Sequence, residues 1–345
     1  MISSYKKTMV LLRFLRGRGR GADPGAEALL PRIASRVPAD GAPGLLPAAD
    51  PTEAEEEERL GARFAAELHR LSRGDPSWLG QGRRLAAIAS AARRRSAAEL
   101  EEALRGVPPW ELGDLAHAVA SRKDLTAEAL AETARALAKR ARDFQTLAGA
   151  IAFLGKGIEG EDRELILRAG RSPALAGICA LALENLPDEE ADASLLELAS
   201  RSEGMSRALV LERLAARHLV DPDGFTAYVP RALELAAAIE DPLVRAWGAV
   251  PLIEVARLPA RLDAEPELAL PAARCLEAIS RGGWNGGPGP GIGRLPGATH
   301  TAEAILQLEG MDPEARRITA RAVVDARPVP PGPAHAAAEK LLAEG

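Results

Sequence analysis

Four basic side chains recur at the same place in successive segments of this chain. Arg93, Lys123, Lys156 and Arg257 each lie 11 to 13 residues after the start of a stripe of apolar residues. If the stripes are stacked helices, these cations follow one edge near the helix C-termini, and a row of cations can track a nucleic-acid backbone. The helix macrodipole alone also favours a cation there, by about 0.3–1 kcal/mol. The pattern therefore predicts either a phosphate-binding edge or ordinary helix ends.

Gly155 and Lys156 match the end of a phosphate-binding loop, but the rest of that motif is missing. The motif needs a glycine five positions before Gly155 and a hydroxyl residue after the lysine. This chain has Ala150 and Gly157 at those positions. A phosphate-binding loop also opens a helix, whereas Gly155 closes a helical stripe. We therefore expect no nucleotide site here.

The histidines and cysteines form no recognised metal site or catalytic motif. His117 has Asp114 three residues before it, but one histidine and one carboxylate fall short of a metal-ligand set. Cys179 and Cys275 lie on apolar stripes, where cysteine usually acts as a small core residue. No serine or cysteine stands in a nucleophile-elbow string. We therefore expect no metal, no cofactor and no catalytic residue.

Residues 281–297 read RGGWNGGPGPGIGRLPG and interrupt the helical pattern. Trp284 is isolated among glycines in this stretch, which contains no GxGxxG motif. A long aperiodic segment is either a flexible insertion or a functional loop. We favour an insertion, and the alternative is a lid whose contact residue is Trp284.

A repeating apolar stripe predicts the elements that position these residues. In the copy that starts at Phe144, apolar residues follow steps of 3, 1, 3, 1 and 3, which gather on one helix face. Copies begin at Gln81, Leu112, Phe144, Leu175, Arg207 and Val244, and their starts are 31, 32, 31, 32 and 37 residues apart. A period of about 32 leaves room for two helices per repeat. The fold prediction is all-α, a right-handed α–α superhelix of paired helices.

Proline and glycine divide the chain into four predicted regions. Residues 1–51 are predicted to be a disordered or weakly structured basic tail and Pro/Gly/Ala linker, and residues 52–280 a repeat array. Residues 281–297 are predicted to be a Gly/Pro-rich loop, and residues 298–345 capping helices. The capping helices are predicted near Thr301–Leu308, Pro313–Ala326 and Ala334–Ala343. Within the array, Ser172 and Pro173 predict a helix N-cap and a proline in the first turn.

The first twenty residues contain six basic side chains and no acidic one. Tyr5, Met9, Leu12 and Leu15 fall on one side of a possible helix, a pattern typical of segments that bind a membrane surface or a partner groove. A short basic peptide of this kind rarely folds alone. We favour a disordered tail over a functional amphipathic segment.

Composition favours helices and gives no global attraction to nucleic acid. Aromatic residues are 3% of the chain, the apolar residues are mainly Ala and Leu, and the net charge is −5. Only six of the 44 basic residues are lysine, an excess of arginine that we attribute to overall composition. No apolar run approaches the roughly 18 residues of a membrane span. We expect a cytoplasmic location.

The array resembles bacterial HEAT-like α-helical repeat proteins over most of residues 60–280, by its period and its helix pairing. The string LLELASRSEGMSRALVLERLA, from Leu195 to Ala215, is similar to a segment of uncharacterised bacterial helical-repeat proteins. Those proteins often read GWGR where this chain has Gly204, Met205, Ser206 and Arg207. The resemblance implies no activity that can be carried over. The repeat period also fits a tetratricopeptide array, which is the second interpretation.

Helical arrays usually serve as surfaces that hold other molecules. The leading expectation is a non-catalytic scaffold that binds a protein partner. The first alternative is nucleic-acid binding along the basic edge, which predicts a salt-dependent affinity. The second alternative is an enzyme with the Gly-rich loop as a lid, which predicts a deep pocket beside Trp284.

Overall fold

The computed structural model describes residues 82–107, 111–281, 283–284, 287–288, 291–326 and 332–344. Within these ranges the chain forms sixteen α-helices and one antiparallel ladder of two-residue strands, so the predicted all-α class is confirmed. The predictions for residues 1–51 and for the start of the array up to residue 81 lie outside the described ranges. The chain divides after Ser202 into two compact units, which are described in turn.

The described residues of the first unit, from Gly82 onward, form eight helices that alternate between two layers. They are α1 (Gly82–Arg93), α2 (Ala97–Leu104), α3 (Leu112–Ala120), α4 (Ala127–Arg140), α5 (Phe144–Leu154), α6 (Asp162–Ala169), α7 (Ala176–Leu183) and α8 (Asp188–Arg201). The first four predicted stripes correspond to α1, α3, α5 and α7, and each of these helices packs on the next. In the other layer α2 packs on α4, and α6 packs on α8.

Local sequence explains where several of these helices begin. The side chains of Ser96, Thr126 and Asp143 accept hydrogen bonds from the backbone N–H groups of Glu99, Ala129 and Thr146, at 3.3, 3.2 and 2.7 Å. Such N-caps satisfy N–H groups that have no partner within the helix. The predicted N-cap at Ser172 is wrong, because α7 begins at Ala176 and the Ser172 carbonyl instead accepts from the N–H groups of the following turn.

The apolar stripes form the core of this unit. Helix α5 is buried at nine of its eleven residues, since it contacts α2, α3, α4 and α7. Gly155 directly follows α5 and lies close to Ala182 of α7. A methyl group on Gly155 would lie 2.7 Å from the Cα atom of Ala182. Glycine at this position therefore lets two helices of one layer approach closely.

The second unit, described by itself, is also helical, and its last three helices follow the glycine-rich stretch. Its elements are α9 (Gly204–Arg217), α10 (Val229–Ala237), α11 (Pro242–Val255), α12 (Leu258–Arg261), α13 (Ala269–Arg281), β1 (Gly283–Trp284), β2 (Gly287–Pro288), α14 (Pro296–Gln307), α15 (Pro313–Asp325) and α16 (Pro333–Glu344). Short 3-10 turns span Pro222–Phe225, Pro266–Leu268 and Ile292–Arg294. The last two predicted stripes correspond to α9 and α11, which pack on each other.

Helix α11 is the centre of the second unit, where it contacts α9, α10, α13, α14 and β1. The three helices predicted after the glycine-rich stretch are present as α14, α15 and α16. Regular structure also enters the predicted loop, because β1 pairs with β2 and Ile292 is buried. Helix α14 begins at Pro296, within the predicted loop, and its first turn is covered by Glu254, whose Oε1 atom accepts from the N–H group of Ala298 at 3.3 Å.

Candidate interaction edge

All four predicted cations lie where a striped helix ends. Arg93 is the last residue of α1, and Lys123 follows the end of α3 by three residues. Lys156 and Arg257 each follow by two residues the ends of α5 and α11. The first three therefore belong to the first unit and Arg257 to the second. We call the segments that follow α1, α3, α5 and α7, residues 93–96, 121–124, 155–159 and 184–187, the C-terminal edge.

A carboxylate of the next repeat already neutralises Arg93. Its Nη1 atom donates to Asp124 Oδ2 at 2.7 Å, and Arg122 Nε donates to Oδ1 of the same carboxylate at 3.0 Å. The hydrogen bond from Arg122 holds the pKa of Asp124 below its usual range, with Arg93 adding to the effect. This corner of the edge is an internal ion-pair cluster rather than a free cation.

Lys156 reaches from the end of α5 to the end of α7. Its Nζ atom donates to Asn185 Oδ1 at 2.7 Å, and Asn185 Nδ2 donates to the carbonyl of Leu181 at 2.9 Å. The lysine is half-buried, and burial lowers its pKa, while the nearby charge of Glu184 acts in the opposite direction. Lys156 therefore connects two helices of one layer.

The remaining two cations have different surroundings. Lys123 is exposed and forms no ion pair with any residue that the structure describes. Arg257 adopts the left-handed backbone conformation, with φ of 47°, and its Nη1 atom lies 2.6 Å from Asp223 Oδ1. Of the predicted row, Lys123 thus retains the free charge that a phosphate contact requires.

These contacts belong to a set of polar links, which we call the polar ladder, that sequence reasoning missed. Each link joins side chains 27 to 37 residues apart, which is about one repeat. The links of the first unit are Arg93–Asp124, Arg95–Glu132, Arg135–Asp162, Lys156–Asn185, Arg163–Glu197 and Arg201–Glu164, and those of the second are Trp247–Glu212 and Arg257–Asp223. The trace of these links in the sequence is their spacing: in every link named above except Trp247–Glu212, a cation has a polar residue about one repeat away.

The most buried ion pair of the ladder joins α4 to α6. Arg135 donates through Nε and Nη2 to the two oxygens of Asp162, at 2.8 and 2.6 Å. Asp162 is 3% exposed, and it also accepts from the N–H group of Glu159 at 3.0 Å. The hydrogen bond to Asp162 raises the pKa of Arg135. Charge-assisted pairs with two parallel bonds are among the stronger polar contacts in proteins.

The acid–base and thiol groups considered in the sequence lie on α3, α7 and α13. Asp114 and His117 share α3, where burial raises the pKa of Asp114 and the charge of His117 partly offsets this. Cys179 and Cys275 are both buried, and burial raises their pKa values. Among the described residues, no group of three or more His, Cys, Asp or Glu side chains is arranged to hold a metal ion.

The glycine-rich stretch lies against α11 through β1. Trp284 pairs with Gly287 and Gly283 with Pro288 in the two-stranded ladder. The side chain of Trp284 lies outside what the structure describes, so its predicted contact with a ligand stays a prediction.

The chain was compared with protein-family models, with curated proteins and with solved structures. None of the three comparisons found a match. In the part of the chain that the structure describes, no helix combines the length and the hydropathy needed to cross a bilayer.

Proposed function

We propose that this protein is a non-catalytic scaffold of HEAT-like helical repeats that binds a protein partner. The alternation of two helix layers in the first unit supports the proposal, because each striped helix packs on the next as it does in stacked repeats. Arrays of this kind present extended surfaces on which side chains from successive repeats can contact one partner.

The polar ladder is the observation that carries the proposal. The ladder connects neighbouring repeats at defined positions. The exposed side chains between its links therefore keep a fixed position relative to one another. A surface ordered before binding loses less conformational entropy when a partner docks. The ladder also pairs Arg93 and Arg257 with carboxylates of the chain itself. That pairing favours a protein partner over a phosphate backbone, which needs available cations.

Affinity purification of the tagged full-length chain from its native host, with and without nuclease, tests the proposal. We expect one protein to co-purify at a fixed ratio, to survive nuclease treatment and to form a complex of defined mass in native mass spectrometry. Material that disappears after nuclease treatment, or a chain that purifies alone under both conditions, would contradict the scaffold proposal.

A lysine variant separates the protein-binding proposal from its nucleic-acid alternative. If the C-terminal edge binds a phosphate backbone, Lys123→Ala should weaken binding to mixed-sequence DNA and RNA and reduce the salt slope of the affinity by about 1. If the scaffold proposal is right, Lys123→Ala leaves the yield of the protein complex unchanged. Lys139→Ala, which removes a lysine from α4, is the matched control for the change in net charge.

A further inference from the structure

The polar ladder contains one lysine, Lys156, and its other cations are all arginine. Lysine is rare in this chain, at six of 44 basic residues. The partner of Lys156 also differs, because its Nζ atom donates to the neutral amide oxygen of Asn185 at 2.7 Å, whereas each other link of the ladder ends on a carboxylate. An amide oxygen needs only an N–H group as its donor, and a neutral amine retains one. The link therefore does not require Lys156 to be charged.

Two glycines hold the backbone of this lysine against two helices. A methyl group on Gly155 would lie 2.7 Å from the Cα atom of Ala182 in α7. A methyl group on Gly157 would lie 3.1 Å from the carbonyl oxygen of Ala127 in α4. Because the chain is in close contact with a helix on each side of Lys156, the place of its side chain is defined before any reagent arrives.

The amine of Lys156 is accessible although the residue is half-buried. Its hydrogen bond to Asn185 lies at an exposed position, and Asn185 is itself exposed. Burial lowers the pKa of Lys156, while the charge of Glu184 acts in the opposite direction. The neutral amine is the nucleophilic form of lysine, and desolvation of the side chain favours that form. A fixed position, an accessible amine and desolvation therefore coincide at one side chain.

We propose that Lys156 is an acylation site, whose Nζ atom takes an acetyl group from an activated donor, either a thioester or an acyl phosphate. The Nζ lone pair attacks the carbonyl carbon, and the bond from that carbon to the sulfur or phosphate oxygen breaks. The leaving group departs with the electron pair, and Nζ loses one proton to water. The products are an amide and a free thiol or phosphate. The amide keeps one N–H group, which can still donate to Asn185.

This inference does not depend on the scaffold proposal, since it concerns the reactivity of one side chain. Quantitative acetylation of the full-length protein tests it. The folded protein is incubated in separate reactions with acetyl-CoA and with acetyl phosphate, and mass spectrometry follows the acetylation of each lysine with time. Lys156 should react several-fold faster than Lys123 and Lys139, which are exposed and serve as internal controls.

The two reactions also distinguish the sources of the acetyl group. Selectivity for Lys156 with acetyl-CoA alone identifies the donor as a thioester, and selectivity with acetyl phosphate alone identifies it as an acyl phosphate. Acetylation of Lys156 at the same rate as the two control lysines, or more slowly, with both donors would overturn the assignment.

Two variants test the surroundings of the amine. Asn185→Asp replaces the neutral acceptor by a carboxylate, which favours the charged ammonium, so acetylation of Lys156 should slow several-fold. Glu184→Gln removes the charge that opposes the effect of burial and should accelerate it. Both variants are measured with p-nitrophenyl acetate, a neutral donor, so that repulsion of an anionic donor does not contribute.

The control lysines Lys123 and Lys139 should keep their wild-type rates in both variants. Thermal unfolding verifies that each variant is folded at the temperature of the reaction. Unchanged acetylation of Lys156 in both folded variants would overturn the assignment, because it would show that the surroundings of the amine do not control its reactivity.

Discussion

Arg135 and Asp162 join two helices through parallel hydrogen bonds, and the Asp162 carboxylate is almost completely removed from solvent. Asp162 is also the first residue of α6, where the helix dipole favours a negative charge. The buried carboxylate of Asp162 is therefore stabilised both by the guanidinium of Arg135 and by the N-terminus of α6. The position of the pair between α4 and α6 connects one repeat of the first unit to the next.

We predict that Arg135→Ala lowers the free energy of unfolding by about 2–3 kcal/mol, because it leaves a buried carboxylate without its partner. The double variant Arg135→Ala/Asp162→Ala should lose less than the sum of the single changes, as urea denaturation can measure. Arg94→Ala is the control, since Arg94 pairs with Glu99 at an exposed site and should cost less than about 1 kcal/mol. Equal losses of unfolding free energy for Arg135→Ala and Arg94→Ala would contradict the role assigned to burial.

Arg95 occupies a helix-ending position at which glycine is usual. Its φ is 52°, and its N–H group and that of Ser96 donate to the carbonyls of Ala92 and Ala91 at 3.0 and 2.9 Å, as in a Schellman motif. A left-handed conformation costs a non-glycine residue about 1–2 kcal/mol. The exposed ion pair between Arg95 and Glu132 offsets this cost by up to about 1 kcal/mol.

We therefore expect Arg95→Gly to change the free energy of unfolding by less than about 1 kcal/mol in either direction, because relief of backbone strain offsets the lost ion pair. Arg95→Val should destabilise by about 1 kcal/mol or more, since a β-branched residue resists this conformation. Chemical denaturation of both variants tests the balance. A large loss for Arg95→Gly would show that the link to Glu132 outweighs the strain.

Gly155→Ala should destabilise the protein by about 1–3 kcal/mol, because the added methyl group meets the backbone of Ala182, which cannot rotate away. Gly82→Ala is the matched control. It begins α1 with nothing within 4 Å of an added methyl group, so its stability should stay the same or rise by about 0.5–1 kcal/mol. Thermal unfolding of the two variants gives the comparison, and similar curves would refute the close approach of α5 and α7.

Lys156 should give the stability a pH dependence in the alkaline range. Burial lowers its pKa in the folded protein below the unfolded value of about 10.4. Between the lowered pKa and that value the unfolded chain binds more protons, so the free energy of unfolding rises with pH. Below this window the folded protein bears the full cost of burying the charge.

The expected result is that wild type gains stability relative to Lys156→Met as the pH increases toward about 10.4. Urea denaturation of both proteins across this range measures the difference. Lys123→Met removes an exposed lysine from the same edge and is the control for the lost charge. Parallel curves for wild type and Lys156→Met would show that the lysine is not desolvated.

The helices were predictable because their signal is local. Apolar residues at steps of 3 and 4 identified all six striped helices, from α1 to α11, and glycine and proline marked the turns between them. The predicted start of α7 at Ser172 and Pro173 was wrong, because a serine followed by proline is an N-cap signal only when the next residues are helical. Here they form a separate turn, and the helix begins at Ala176.

The polar ladder was not predictable from the same signal, because its links join residues about one repeat apart on different helices. The sequence identified Arg93, Lys156 and Arg257 as recurring cations, but periodicity does not show whether Asp124, Asn185 or Asp223 lies within reach. The arginine excess, attributed to composition, includes several side chains that connect repeats. Arginine suits such links, since its planar guanidinium can donate two parallel bonds to one carboxylate.

Both cysteines of the chain, Cys179 and Cys275, are shielded from solvent, and burial raises the pKa of Cys275 to about 12. Maleimide reagents react with thiolates, so neither residue should label while the protein is folded. A fluorophore or spin label can then be attached to a cysteine introduced at an exposed position such as Val220, with the native cysteines left in place. Cysteines introduced at chosen surface positions of the wild-type chain can therefore be labelled selectively for distance measurements.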